Sequence, residues 1–141
     1  ELNCARKLAA KIVKTREGGM FATPLIGHGD CEGLIFSNIN PMRPGNWGNL
    51  IAFDKSTGEI RYRTPLNFYS WSSPVALYNE NSEMFIVTGD THGSIYIIRG
   101  KDGSVLLRQK IGNNFESSPI VIDNNIIVGS RGKEIYKLSI Q

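Results

Sequence analysis

The side chains best equipped to do chemistry in this sequence fall into two sets. His28, Asp30, Cys31 and Glu32 lie together in Gly27-His28-Gly29-Asp30-Cys31-Glu32-Gly33 and offer imidazole, thiolate and carboxylate, the ligand types of a zinc centre. Consecutive residues cannot all turn toward one ion, and the glycines around them write a hairpin loop. No metal is therefore expected here, nor at the smaller Asp90/His92 pair. The second set is Ser72, Ser73, Ser117 and Ser118 with His28 and His92, the parts of a hydrolytic triad. These serines fall at matching places of an internal repeat, and the chain has no Gly-x-Ser-x-Gly elbow, which assigns them to structure. Gly18-Gly19 lacks the spacing of a nucleotide-binding loop and reads as a turn. Cys4 and Cys31 are the only cysteines and no Cys-x-x-Cys is present, so neither a zinc module nor a disulfide framework is indicated.

The elements that must position these residues repeat along the chain. Trp71-Ser72-Ser73-Pro74-Val75 recurs as Glu116-Ser117-Ser118-Pro119-Ile120 and, more weakly, as Phe21-Ala22-Thr23-Pro24-Leu25. Gly48-Asn49-Leu50-Ile51-Ala52-Phe53 matches Gly93-Ser94-Ile95-Tyr96-Ile97-Ile98 and then Lys133-Glu134-Ile135-Tyr136-Lys137-Leu138, while Thr57-Gly58-Glu59-Ile60 pairs with Asp102-Gly103-Ser104-Val105. Three landmarks in step define a unit of about 40 to 50 residues. Within it, short Ile-, Val-, Phe- and Tyr-rich runs alternate with Asn, Asp and Gly turns, giving four strands: Val75 to Tyr78, Met84 to Thr88, Ile95 to Arg99 and Val105 to Arg108. Four short strands per unit are the mark of a propeller blade. The predicted fold is all-β: about three four-stranded antiparallel blades of a partial ring, approximately 20–63, 70–110 and 115–141, within one domain spanning 1–141.

Residues 1–15 read two ways. Ala5, Leu8, Ala9, Ile12 and Val13 follow a helical period, yet Ile12 stands twelve residues before Pro24, as Tyr62 does before Pro74 and Leu107 before Pro119. The second pattern, a strand belonging to a preceding blade, is preferred.

The segment Ala52-Phe53-Asp54-Lys55-Ser56-Thr57-Gly58-Glu59-Ile60-Arg61-Tyr62 resembles the A-x-D-x-x-T-G-x-x-x-W docking motif of quinoprotein-type, pyrroloquinoline-quinone-like β-propeller repeats. It departs from that motif at Tyr62, which keeps a flat apolar ring but adds a hydroxyl in need of a partner. The copy from Ile97 to Leu107 retains the central Gly103 and the apolar ends. Such repeats occur in quinone-dependent dehydrogenases, in the outer-membrane assembly lipoprotein family and in bacterial surface propellers without a cofactor, and this chain is most similar to the last. The resemblance implies a structural docking role for Ala52, Asp54, Thr57, Gly58, Tyr62 and Gly103, and a periplasmic or extracellular setting. No cofactor is expected, because the chain shows neither a calcium-and-quinone ligand set nor an adjacent cysteine pair.

Charge narrows the partners. The formal net charge is +3, but Arg6, Lys7, Lys11, Lys14 and Arg16 carry that excess and the residues from Met20 onward balance, so no broad positive field exists to steer nucleic acid. No apolar run is long enough to span a membrane as a helix. Met42, Arg43, Trp47, Tyr69 and Trp71 are the candidate interaction surface, since aromatics and arginine dominate protein interfaces; Phe68-Tyr69-Ser70-Trp71, however, precedes the Ser-Ser-Pro corner, where a first strand lines the propeller axis, and core packing is the preferred reading of that segment. The expected function is a noncatalytic binding or scaffold module of a cell-envelope protein, taking a protein or glycan partner. The alternative is a segment of a quinone-dependent oxidoreductase whose other blades hold the cofactor. Three blades cannot close a ring, so a homo-oligomer or completion by a longer chain is also expected.

Overall fold

A sheet covered on both faces needs apolar residues at consecutive rather than alternate positions, and the runs Leu50-Ile51-Ala52-Phe53 and Ile95-Tyr96-Ile97-Ile98 have that character. In the computed structural model, which describes residues 18–41 and 47–140, each run is the third strand of a four-stranded sheet. Residues 1–15, Met42 and Arg43 lie outside the described residues.

Blade A comprises β1 (Leu25–Ile26), β2 (Leu34–Ile39), β3 (Asn49–Asp54) and β4 (Ile60–Pro65), hydrogen-bonded in chain order. Blade B comprises β5 (Val75–Tyr78), β6 (Met84–Gly89), β7 (Ser94–Arg99) and β8 (Val105–Lys110). Blade C contributes β9 (Ile120–Ile122), β10 (Asn125–Ser130) and β11 (Glu134–Ser139). Every pairing is antiparallel, and the registers repeat: Leu25 faces Phe36, Val75 faces Val87 and Ile120 faces Ile127, each first strand starting directly after its proline. Proline is tolerated there because the first strand position needs no ladder donor. The first strand of blade A is shorter than that of blade B because a 3₁₀ turn, Gly29–Cys31, follows it. That turn leans on the next blade, where the Asp30 carboxylate accepts the Met84 amide at 2.8 Å.

The blades stack face to face. Phe36, Leu50, Ala52 and Leu66 of blade A pack on Met84, Ile86, Tyr96 and Ile98 of blade B, with Cys31 among them. The opposite face of blade B supplies Leu77, Val87 and Ile95 to a second core with Phe115, Ile126 and Val128. Side chains alternate across a strand, so Tyr96 and Ile98 serve one interface while Ile95 serves the other. Equivalent backbone positions also join neighbouring blades: the Thr23 amide donates to the Ser73 hydroxyl at 3.0 Å, and the Ser73 amide to the Ser118 hydroxyl at 2.9 Å. This repeated contact explains the serines of the Ser-Ser-Pro corner.

The docking segment closes the rim. The Asp54 carboxylate accepts the Ser56 and Thr57 amides at 2.9 Å and the Ser56 hydroxyl at 2.6 Å, while Gly58 turns the corner at φ 74°. Asp102 and Gly103 repeat the corner in blade B, with φ 76° at the glycine. Tyr62 and Thr64 of β4 lie over this second corner: the Tyr62 hydroxyl donates to the Gly100 carbonyl and the Thr64 hydroxyl to the Gly103 carbonyl at 2.7 Å. The extra oxygen that distinguishes Tyr62 from tryptophan thus satisfies a carbonyl on a buried residue, which if left unpaired would cost about 1–3 kcal/mol. Burial raises the Tyr62 pKa well above the usual phenol range.

Two outcomes follow for stability. A Cβ at Gly103 would stand 2.5 Å from the Tyr62 ring and from the Thr64 hydroxyl, at a φ that L-residues avoid. Gly103→Val should therefore lower the thermal midpoint more than Ser104→Val, the backbone contribution alone being about 1–3 kcal/mol, as differential scanning calorimetry would show. The second concerns pH. Hydrogen bonds from Ser56 and Thr57 hold the Asp54 pKa at about 2 instead of 3.8. A depressed folded-state pKa stabilises above the unfolded value, and the contribution is lost as pH falls toward the folded one. The difference in midpoint between the native chain and Asp54→Asn should accordingly be full at about pH 6 and shrink through the interval from 3.8 to about 2.

Candidate functional site

Because the strands are antiparallel, residues 40–41, 47–48, 66–74, 90–93 and 111–119 lie at one end of the sheets, and the aspartate–glycine corners at the other. The first end carries an aromatic patch. Phe68 lies between Trp47, with ring centroids 5.0 Å apart, and His92, stacked at 4.2 Å and 20°. Tyr69 meets the edge of Trp47 at 6.0 Å. Trp47 and His92 are exposed, Phe68 and Tyr69 half-buried, so the patch presents ring surface to solvent.

The backbone beneath is fixed. The Gly48 amide donates to the Phe68 carbonyl at 3.2 Å, and the Thr91 amide to the Tyr69 carbonyl at 2.8 Å. Asp90, fully buried, accepts the His92 and Ser94 amides on one oxygen at 3.0 and 2.9 Å and the Tyr96 hydroxyl on the other at 2.8 Å. The Tyr96 oxygen in turn accepts the Asn67 amide at 3.1 Å, tying the Phe68 loop to the His92 turn. Burial pushes the Tyr96 pKa up to about 12, with the Asp90 hydrogen bond adding to the rise. Beside the patch, the Lys110 ammonium stands 3.0 Å from His92 Nε2.

The repeat provides an internal control. The clamp from Thr91 to Tyr69 has counterparts in Asn40 to Gly19 and Arg131 to Asn114, at 3.0 Å each. Glycine and asparagine thus hold the same backbone contact as Tyr69, and Phe68 corresponds to Gly18 and Asn113. Trp47 and His92 occupy one repeat position, 45 residues apart, and Gly132 is the third member. The blade needs no ring at these places, so the four-ring patch is an addition to the fold.

Of the candidate surface, the structure brings Trp47 and Tyr69 together. Trp71 stands apart, paired with Phe21 at 6.4 Å. Phe68 and His92 were missed as surface residues, although the 45-residue spacing of Trp47 and His92 was a usable signal. The compact ligand-type cluster disperses: Cys31 is buried in the core between blades A and B, where desolvation raises its pKa to about 12. Among the described residues, no three His, Cys, Asp or Glu side chains converge. Among the described residues, the Asp30, Asp54, Asp90 and Asp102 carboxylates each accept backbone amides of their own turns or of the next blade.

A crystal structure of BamB from Moraxella catarrhalis superposes on 86% of this chain with a TM-score of 0.60 and 18% identity, the match spanning 34% of that protein. The chain has the pyrroloquinoline-quinone-like β-propeller fold. A europium-containing methanol dehydrogenase aligns over 74% of the chain and 20% of its own length, at 18% identity and a TM-score of 0.48. Among curated proteins, the human beta-alanine-activating enzyme is 27% identical over 79 residues, which is 56% of this chain and 7% of that enzyme. The chain therefore spans about a third or less of each of these three proteins. No family model matches it.

If the rings are additions to the fold, removing two of them should leave it intact. Phe68→Asn with Tyr69→Asn, the residues found at 113 and 114, should keep the far-ultraviolet circular dichroism of the native chain. The stability loss should be about 0.5–1.5 kcal/mol for each lost ring pair, with a clear drop in the near-ultraviolet aromatic signal.

Proposed function

We propose that the chain is a noncatalytic β-propeller module that presents the patch of Trp47, Phe68, Tyr69 and His92 to a protein partner in a cell-envelope setting. The observation that carries this reading is the presence of four rings where the repeat requires none. Large, rigid aromatic side chains contribute most at interfaces because they bury much apolar area at little entropic cost. The envelope setting follows from the resemblance of the repeat to bacterial surface propellers. The docking residues Ala52, Asp54, Thr57, Gly58, Tyr62 and Gly103 serve the scaffold in this reading, and a second copy or the rest of a longer chain completes the array.

Site-specific photo-crosslinking in intact cells tests it. A photoreactive residue at Tyr69 should yield a protein adduct that Trp47→Ala abolishes, whereas the same group at Glu80, on the opposite end of the sheets, should not. An adduct of carbohydrate mass at Tyr69 would replace the protein partner with a glycan. Saturable binding of pyrroloquinoline quinone with Ca²⁺ to the purified chain, unaffected by Trp47→Ala, would overturn the reading in favour of a segment of a quinone-dependent oxidoreductase.

A further inference from the structure

Between blades B and C an aromatic ring plugs the interface. Phe115 is fully buried, and a Cβ at Gly89 would stand 2.7 Å from it, so the glycine makes room for the ring. The repeat puts a different pair in that place between blades A and B. Ser70 stands four residues before Pro74, as Phe115 does before Pro119. Asn38 lies two residues past Phe36, the partner of Leu25, as Gly89 lies two past Val87, the partner of Val75. A polar plug of Asn38 and Ser70, with one side-chain heavy atom fewer, thus replaces phenylalanine on glycine. Asn38, Ser70, Ser72 and Thr88, which meet here, have no exposed surface.

Their hydrogen bonds do not close among themselves. Asn38 Nδ2 donates to the Ser72 carbonyl at 2.7 Å and stands 2.9 Å from the Ser70 hydroxyl and 2.7 Å from the Thr88 hydroxyl. A carbonyl only accepts, which fixes the orientation of the Asn38 amide and leaves Oδ1 as an acceptor. Among the described residues, Oδ1 meets no donor, and the Ser72 hydroxyl is likewise unmatched. The repeat explains the second orphan. Ser117, the counterpart of Ser72, donates to the Gly129 carbonyl at 2.7 Å, whereas the matching carbonyl of Gly89 already accepts the Ser70 hydroxyl at 2.6 Å. The serine that replaces the ring therefore takes the acceptor that Ser72 would use.

We propose that this plug is a permanent binding site for water, which donates to Asn38 Oδ1 and accepts the Ser72 hydroxyl. Water can do both at once, and buried waters settle where otherwise unmatched polar groups offer about two to four hydrogen bonds. The site adjoins the aromatic patch. The Ser70 amide donates to Asn40 Oδ1 at 2.9 Å and Asn40 Nδ2 to the Ser70 carbonyl at 2.8 Å, so the filled plug helps fix the loop that carries Phe68 and Tyr69.

The test uses the full chain and oxygen-17 relaxation dispersion, which counts long-lived internal waters and is blind to exchange of hydroxyl protons. Asn38→Gly with Ser70→Phe transplants the plug of the next interface. The dispersion amplitude should fall by at least about one long-lived water per chain, with the far-ultraviolet circular dichroism of the native protein retained. Equal amplitudes in the two proteins overturn the proposal. Ser72→Ala gives a second readout that needs no repacking, because Ala22 holds the same repeat position in blade A. Loss of a hydroxyl bonded to water should lower the thermal midpoint, whereas removing a buried hydroxyl without a partner would raise it. An unchanged or raised midpoint for Ser72→Ala overturns the proposal as well.

Discussion

A propeller blade with two apolar faces is stable only between neighbours, and the contact that meets this requirement here is the seating of Tyr62 and Thr64 on the Gly100–Gly103 corner. Gly103 is needed because any side chain would collide with the Tyr62 ring. The corner holds its shape because Asp102 accepts the Ser104 amide and hydroxyl at 2.9 and 2.6 Å. With the rim fixed, Leu50 and Ala52 lie flat against Tyr96 and Ile98, and the shared core excludes water.

Radial stacking also decides where function can reside. The strands are consumed by the two interfaces, so variable chemistry is left to the loops at either end. At the corner end, the carboxylates serve the turns. At the other end, the backbone clamps recur with different side chains, and among these repeat positions only those at the A–B junction carry rings. Between blades B and C the same places hold Asn113, Asn114 and an exposed Arg131–Glu116 pair at 3.0 Å, a polar surface where blades A and B present an aromatic one. Asp90 and Tyr96 stiffen the aromatic junction from below, since the buried carboxylate takes three donors from its own turn and Tyr96 carries the linkage on to the Asn67 amide of the other loop.

Much of this was legible in the chain. The spacing of Pro24, Pro74 and Pro119 marked the first strands, and the alternation of turns with Ile- and Val-rich runs placed the others within a residue or two. The Asp54–Gly58 corner was readable because a positive φ favours glycine and a short carboxylate can accept the two amides that follow it. The assignment of Ser73 and Ser118 to structure followed from their recurrence. The aromatic patch was only half legible. Trp47 and Tyr69 stood out by type, but Phe68 read as core and His92 as part of a turn, since nothing local shows that one ring will lie between a tryptophan and a histidine from two different blades.

The sequence by itself determined the repeat, the strands, the turn chemistry and the need for neighbours, because these rest on short-range sterics and on periodicity along the chain. Only the tertiary structure decided which residues meet across blades: Tyr62 with Gly100, Tyr96 with Asn67, Phe68 between Trp47 and His92, and Trp71 with Phe21 instead of the patch. The physical reason is that blade-to-blade contacts join residues about 20 to 50 positions apart through stacking and rotation about an axis, and neither hydrophobic pattern nor turn type encodes that rotation.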